Sequence, residues 1–179
     1  MMADLPVGLT LPPGKGAGVV RLEAWHEREQ EDAAQLIARA YQDHVDGEIN
    51  DQYRSVAGAR RFLLNIVQFP GCGSFFQPAS VVALAPDSER LWGISLASLV
   101  AFDVGHITQI CVDPAMKGIG AGYEMLRRSL EALARSGCRR VSLTVTADND
   151  EAIRLYERVG FRTEHVFDAI VWGGFDGPR

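Results

Sequence analysis

The sequence predicts a mixed α/β chain of the α+β kind, built on a largely antiparallel sheet. Three observations predict it. Apolar residues switch repeatedly between a period of two and a period near 3.6, so strands and helices share the chain. The runs come in the order β α α β β β α β α β, without the strict alternation of a parallel βαβ fold. Two neighbouring β-type runs, 80–85 and 92–100, are separated by Pro86, Asp87 and Ser88, the composition of a hairpin turn.

Taken in order, residues 1–18 carry Pro12, Pro13, Gly14, Gly16 and Gly18 and are expected to form a flexible leader. Gly14, Lys15, Gly16, Ala17 and Gly18 look like a phosphate loop, but no strand precedes them and no Lys-Ser/Thr pair ends them; they read as linker. The rest, 19–179, reads as one domain. Residues 19–25 form a strand. Over 28–45, Ala33, Leu36, Ile37, Ala40, Tyr41 and His44 recur at helical spacing. A polar stretch, 46–54, follows. Ala59, Phe62, Leu63, Ile66 and Val67 mark a second helix, stopped by Pro70 and Gly71.

After the hairpin, 106–112 reads as a strand with Ile107, Gln109 and Cys111 on one face and His106, Thr108, Ile110 and Val112 on the other. A helix from about Ala121 to Ser136 ends at Gly137. Residues 141–145 form a buried strand. Asp148 or Asn149 caps a short helix whose apolar face is Ala152, Leu155, Tyr156 and Val159, ended by Gly160. A last strand is expected over 165–172, where Trp172, with Phe175 beyond it, could pack in the core or in a homodimer.

Composition sets bounds. Of 179 residues, 47% are hydrophobic and 23% charged, ordinary for a globular chain, and the formal net charge is -5. That balance does not suit a general nucleic-acid or membrane surface, so a polyanionic ligand must be held locally, by backbone amides and a few cations. No apolar run is long enough to span a bilayer, and no charged start precedes an apolar one. Three cysteines without paired spacing suggest neither a disulfide framework nor a zinc site, and a reducing cytoplasm is the expected location. His44, Asp46 and Glu48 have a metal-like spacing but read better as polar loop residues; no metal is expected.

The chemistry concentrates at a glycine cluster between a strand and a helix: Val112, Asp113, Pro114, Ala115, Met116, Lys117, Gly118, Ile119, Gly120, Ala121, Gly122. Glycines at alternate positions let a bulky group touch the backbone. The first N–H groups of a helix lack internal partners and carry the positive end of its dipole, which suits a phosphate or pyrophosphate. The spacing is neither that of a dinucleotide fingerprint nor that of a P-loop.

These residues resemble the acyl-CoA motif of the GNAT superfamily of N-acetyltransferases, V-x-P-x-x-(R/Q)-G-x-G-(I/V/A)-G, with Lys117 standing where Arg or Gln is usual. Lys keeps the charge and loses the planar fork. A second segment, from Asn149 through Ala152, Leu155, Tyr156 and Arg158 to Gly160 and Phe161, resembles the same family's N-x-x-A-x-x-(L/F)-Y-x-(K/R)-x-G-F. The resemblance covers roughly 80–172; the two N-terminal helices fit by order alone. It implies a GNAT-like sheet of six to seven mostly antiparallel strands flanked by about four helices. It also implies direct transfer of an acetyl group from acetyl-CoA to a primary amine in a ternary complex.

By that resemblance, Lys117, Gly118, Ile119, Gly120, Ala121 and Gly122 would bind the pyrophosphate, and Ile110, Cys111 and Val112 the pantetheine arm through their backbone. Asn149 would sit near that arm, although a helix cap explains it equally well. Tyr156 would bind beside the thioester and be the general acid for the leaving thiolate, although a core aromatic has the same spacing. Relatives with a strand glutamate as base have no counterpart here. Asp103, Glu48, Gln109 through water and His106 remain, with His106 the tentative choice on chemistry alone. Asp46, Glu48 and Asp51 would suit a cationic amine, either a small molecule or a protein amine. A non-catalytic acyl-CoA-binding sensor of the same fold is the alternative.

Overall fold

The computed structural model describes residues 1–71 and 73–169. In chain order it contains β1 (Met2–Asp4), β2 (Arg21–Ala24), α1 (Gln30–Ala40), α2 (Val45–Ile49), α3 (Val56–Gln68) and β3 (Ser74–Phe75). There follow β4 (Val81–Leu84), β5 (Leu91–Ala101), β6 (Val104–Val112), α4 (Ala121–Arg135), β7 (Arg140–Leu143) and α5 (Asp150–Arg158). The strands form one seven-stranded sheet in the order β1-β7-β6-β5-β4-β2, with β3 paired to β5. Every pairing is antiparallel except β6 with β7. The mixed fold with a mostly antiparallel sheet expected from the sequence is therefore present, with five α-helices among the described residues.

Helices cover both faces. Leu126, Leu130 and Leu133 of α4 are fully buried against Ile107, Val141 and Leu143 on one side. Leu36 and Ile37 of α1 and Leu63 of α3 are buried against Ile94, Leu96 and Cys111 on the other. Each such side chain contributes about 1.5–3 kcal/mol by leaving water. The apolar spacing read in the sequence places these residues inward because one helical stripe must meet one sheet face.

Three expectations are corrected. First, residues 1–18 are not a loose leader. Met2, Ala3 and Asp4 pair with Ser142, Val141 and Arg140, and Ala3 and Leu5 are buried. Three-residue strands carry too little alternation to be seen in sequence. Second, the helix expected over 28–45 ends at Ala40. Asp43 takes a left-handed backbone (φ 57°), and the polar stretch begins with the short α2. Third, Ile49 and residues 165–169 line a common cavity, but the latter form no strand; residues 170–172, Trp172 among them, and Phe175 lie outside the described residues, as does Cys72.

Strand β6 contains the feature that shapes the site. Leu96 pairs with Gln109 and Ala97 with Ile107, so Thr108 is an extra residue. Simple alternation fails there. Ile107 and Ile110 both pack toward α4, whereas Gln109 and Cys111 face α1. His106, opposite to Ile107, consequently falls on the face of Cys111 rather than across from it, contrary to the sequence expectation. On its other side β6 pairs with β7 only from Val104↔Arg140 to Ile107↔Leu143. Beyond Ile107 the two parallel strands part.

Candidate active site

The parting of β6 from β7 opens a cleft of about 270 Å³ between β6, the start of α4, α5 and the end of α1. Ile110, Cys111 and Val112 form one wall. Their inner edge pairs with Ser95, Ile94 and Gly93 of β5; the outer edge pairs with no strand among the described residues. Their outward peptide groups are free to bond an extended ligand.

At one end lies the glycine loop. Asp113 is 4% exposed, accepts from Ala115 N–H at 3.0 Å and meets Arg39 Nη2 at 3.2 Å, which fixes the turn Pro114–Met116. Gly118 and Gly120 have φ of 79° and 94°, backbone that L side chains rarely adopt. Gly120 caps α4, leaving the N–H groups of Ala121, Gly122 and Tyr123 without helical acceptors. Lys117, Gly118, Gly120, Ala121 and Gly122 all line the cleft. The Ile119 side chain does not; it packs with Val81, Ala83, Ala121 and Met125 and anchors the loop.

At the other end stands Tyr156 on α5, 6% exposed, its ring 5.9 Å from that of Phe161. It is both core aromatic and cleft wall. Among the described residues its hydroxyl makes no hydrogen bond. Burial pushes the phenol well above its ordinary range, and nearby Asp46 and Cys111 add to the shift, so it keeps its proton. Burial likewise pushes the Cys111 thiol up to about 12. Asn149 caps α5 by accepting from Ala152 N–H at 3.2 Å and also lines the cleft.

Other residues enter that sequence spacing did not single out for this cleft. Tyr41 and His44 reach it from the end of α1, and Arg158 from α5. Buried Gln109 donates from Nε2 to Tyr41 Oη at 2.9 Å and accepts from Tyr53 Oη at 3.0 Å, while the two rings stack at 4.3 Å. Asp46 accepts a hydrogen bond from Thr146, joining α2 to the segment after β7. Its N–H donates to His44 Nδ1 at 3.1 Å, so the neutral ring carries its hydrogen on Nε2. These bonds already engage His44 and Asp46, and among the described residues no group of three His, Cys, Asp or Glu could hold a metal ion.

His106 is elsewhere. It lines a separate cavity of about 600 Å³ with Ser142, Thr144 and Thr146, and Nδ1 lies 2.9 Å from Ser142 Oγ. Burial, with the N-terminal ammonium, lowers its pKa. The geometry therefore does not join it to Tyr156 in one cleft. Gln109 is committed to two phenols, and Asp103 accepts from the N–H groups of Arg139 and Arg140 through its backbone carbonyl, at the far end of β6. Glu48 is exposed and lines a third cavity beside α1.

A family model described as the acetyltransferase (GNAT) family matches residues 48–161. A mycothiol acetyltransferase of Kocuria rhizophila is 26% identical over 171 residues, covering 91% of this chain and 51% of that protein. Another, of Geodermatophilus obscurus, is 42% identical over 104 residues, covering 55% and 33%. The chain thus spans about half or less of these relatives' length. Among solved structures, the PaiA N-acetyltransferase of Thermoplasma acidophilum in complex with coenzyme A superposes with a TM-score of 0.66 at 14% identity, covering 84% of this chain and 94% of that one.

Proposed function

Since the chain belongs to the acetyltransferase (GNAT) family, we propose that it is an N-acetyltransferase that moves an acetyl group from acetyl-CoA to a primary amine. The observation that carries this reading is one cleft with a phosphate-type glycine loop at one end and, at the other, a protonated phenol that makes no hydrogen bond among the described residues. The cleft fits the cofactor's parts. Gly118, Gly120 and Gly122 leave the loop backbone open to a pyrophosphate, and the free edge of Ile110, Cys111 and Val112 offers bonds to a pantetheine arm. Acetyl-CoA would supply a thioester carbonyl for the amine to attack and a thiolate to release.

The chain's own residues do the rest. Tyr156 holds a proton where the sulfur departs; a phenol kept neutral by burial can donate a hydrogen bond or the proton itself. Asp46, near enough to shift that phenol, draws the cationic acceptor toward the cleft, and the amine's proton leaves through the open face to water. Tyr41, held by Gln109, narrows the entrance. His106 has no part in this scheme. The acceptor is a small-molecule or protein amine; the relatives similar in sequence include mycothiol acetyltransferases. Free, buried Cys111 and Cys138 fit a reducing cytoplasm.

Thiol release from acetyl-CoA with an amine panel tests the reading. Amine-dependent release that falls on Tyr156→Phe supports it. Tight acetyl-CoA binding with no turnover on any amine, and no effect of Tyr156→Phe, would leave a binding module instead.

A further inference from the structure

Three cations line the cleft, and among the described residues none has a carboxylate partner: Lys15, Lys117 and Arg158. Arg158 lies 5.0 Å over the Tyr123 ring. Glu151 is the one carboxylate residue in the same described lining, so in a chain of net charge -5 the mouth keeps a local positive excess that suits an anion. Lys117 belongs to the glycine loop. Lys15 comes from more than 100 residues earlier.

The segment that carries Lys15 is tied down. Leu11 N–H donates to Glu131 Oε1 at 3.0 Å, Gly14 N–H to Glu124 Oε1 at 2.5 Å, and Tyr123 Oη to Pro12 O at 2.7 Å. Glu124 is 2% exposed and pairs with Arg127 at 2.9 Å, so the anchor is buried and charge-paired. Gly16 is buried directly on Gly120. A Cβ there would stand 2.8 Å from Gly120 C and O. The Lys15 stem runs over Gly120 as well, 2.8 Å from where a Gly120 Cβ would be. Lys15 thereby lines, beside the loop whose N–H groups lack helical acceptors, the same cleft as the Tyr156 phenol.

We propose that residues 9–18 form a strap over the start of α4, and that its Lys15 is a ligand of the cofactor's pyrophosphate. The assignment rests on the acetyl-CoA reading above. The strap makes the N-terminal segment part of the binding site, and its buried glycine and paired glutamate set where the lysine stands.

Titration of the intact chain with acetyl-CoA and with 3′-dephospho-acetyl-CoA, watched by calorimetry, tests it. Lys15→Ala should weaken both ligands about tenfold, the scale of one charge-assisted contact. Gly16→Val, which lifts the strap off Gly120, should give the same loss, and the double variant no more than the larger single one. Thermal melting confirms that the variants are folded. Wild-type affinity in Lys15→Ala overturns the proposal. A loss confined to acetyl-CoA places Lys15 on the 3′-phosphate and overturns the pyrophosphate assignment. Failure of the unaltered chain to bind either ligand defeats the acetyl-CoA reading itself, and the strap with it.

Discussion

Gln109 donates its amide hydrogen to the phenol oxygen of Tyr41 at 2.9 Å, holding a residue of α1 against the free half of β6. Gln109 is 4% exposed, and its carbonyl is satisfied by Tyr53. Leucine in its place would keep the volume but remove one hydrogen bond from each of two phenols. Gln109→Leu is expected to lower stability by about 1–3 kcal/mol. Urea denaturation measures it, and a midpoint equal to that of the unaltered chain would contradict the bonding described.

Tyr156→Phe keeps the ring in its packing against Phe161 and removes only the hydroxyl. Turnover should drop about a hundredfold or more, the range of a positioned acid, with the Kd for acetyl-CoA nearly unchanged. Because burial raises this pKa, the unaltered chain should show no decline in kcat from loss of the Tyr156 proton below about pH 10. A drop in binding rather than in turnover would assign the phenol a packing role.

The buried thiol gives a pH prediction. Cys111 titrates near 12 in the folded chain, against about 8.5 when unfolded. Between those values the unfolded state holds fewer protons than the native one, so stability falls as pH rises. The raised pKa values of Cys138, and of Tyr41 and Tyr156 at higher pH, act in the same direction. Urea midpoints should therefore decrease from pH 8 to pH 10, and less steeply in Cys111→Ala. Slow labelling of Cys111 by a thiol reagent at pH 8 follows from the same burial; immediate stoichiometric labelling would speak against it.

Gly122 offers a cleaner probe of the loop than Gly120. A Cβ at Gly120 would strike Gly16 and Lys15, whereas one at Gly122 would rest 3.6 Å from Leu155 Cδ2 and Val112 Cγ2. Glycine in the first turn of a helix gives up to about 1 kcal/mol relative to alanine, so Gly122→Ala should be neutral or stabilising. Gly122→Glu sends a carboxylate into the cleft and should abolish acetyl-CoA binding while the melting temperature stays within a few degrees. Retained affinity would move the pyrophosphate elsewhere.

Asp46 and His106 separate by kinetics. Asp46→Asn should raise KM for a cationic amine several-fold. His106→Ala, in a different cavity, should leave kcat within about twofold. A large kcat defect in His106→Ala, with an acidic limb removed from the pH profile, would restore His106 as the base.

By itself the sequence determined the two motif segments, the mixed sheet and the helical faces, because each depends on neighbours a few residues apart. The glycine spacing dictates a loop open at its backbone, and the Ala152, Leu155, Tyr156 face dictates where α5 packs. Tertiary structure alone decided which of these residues share a cleft. The extra residue Thr108 reverses the faces of β6 where its pairing with β7 ends, yet Thr108 looks like any other strand residue in the chain. Gly14, Lys15 and Gly16 read as linker because nothing nearby needs them; their reason is Glu124 and Gly120, over 100 positions away. Local periodicity reports which face a residue takes. Convergence of Lys15, Tyr41, His44 and Tyr156 on one cavity depends on how distant elements pack, and no short-range pattern encodes that.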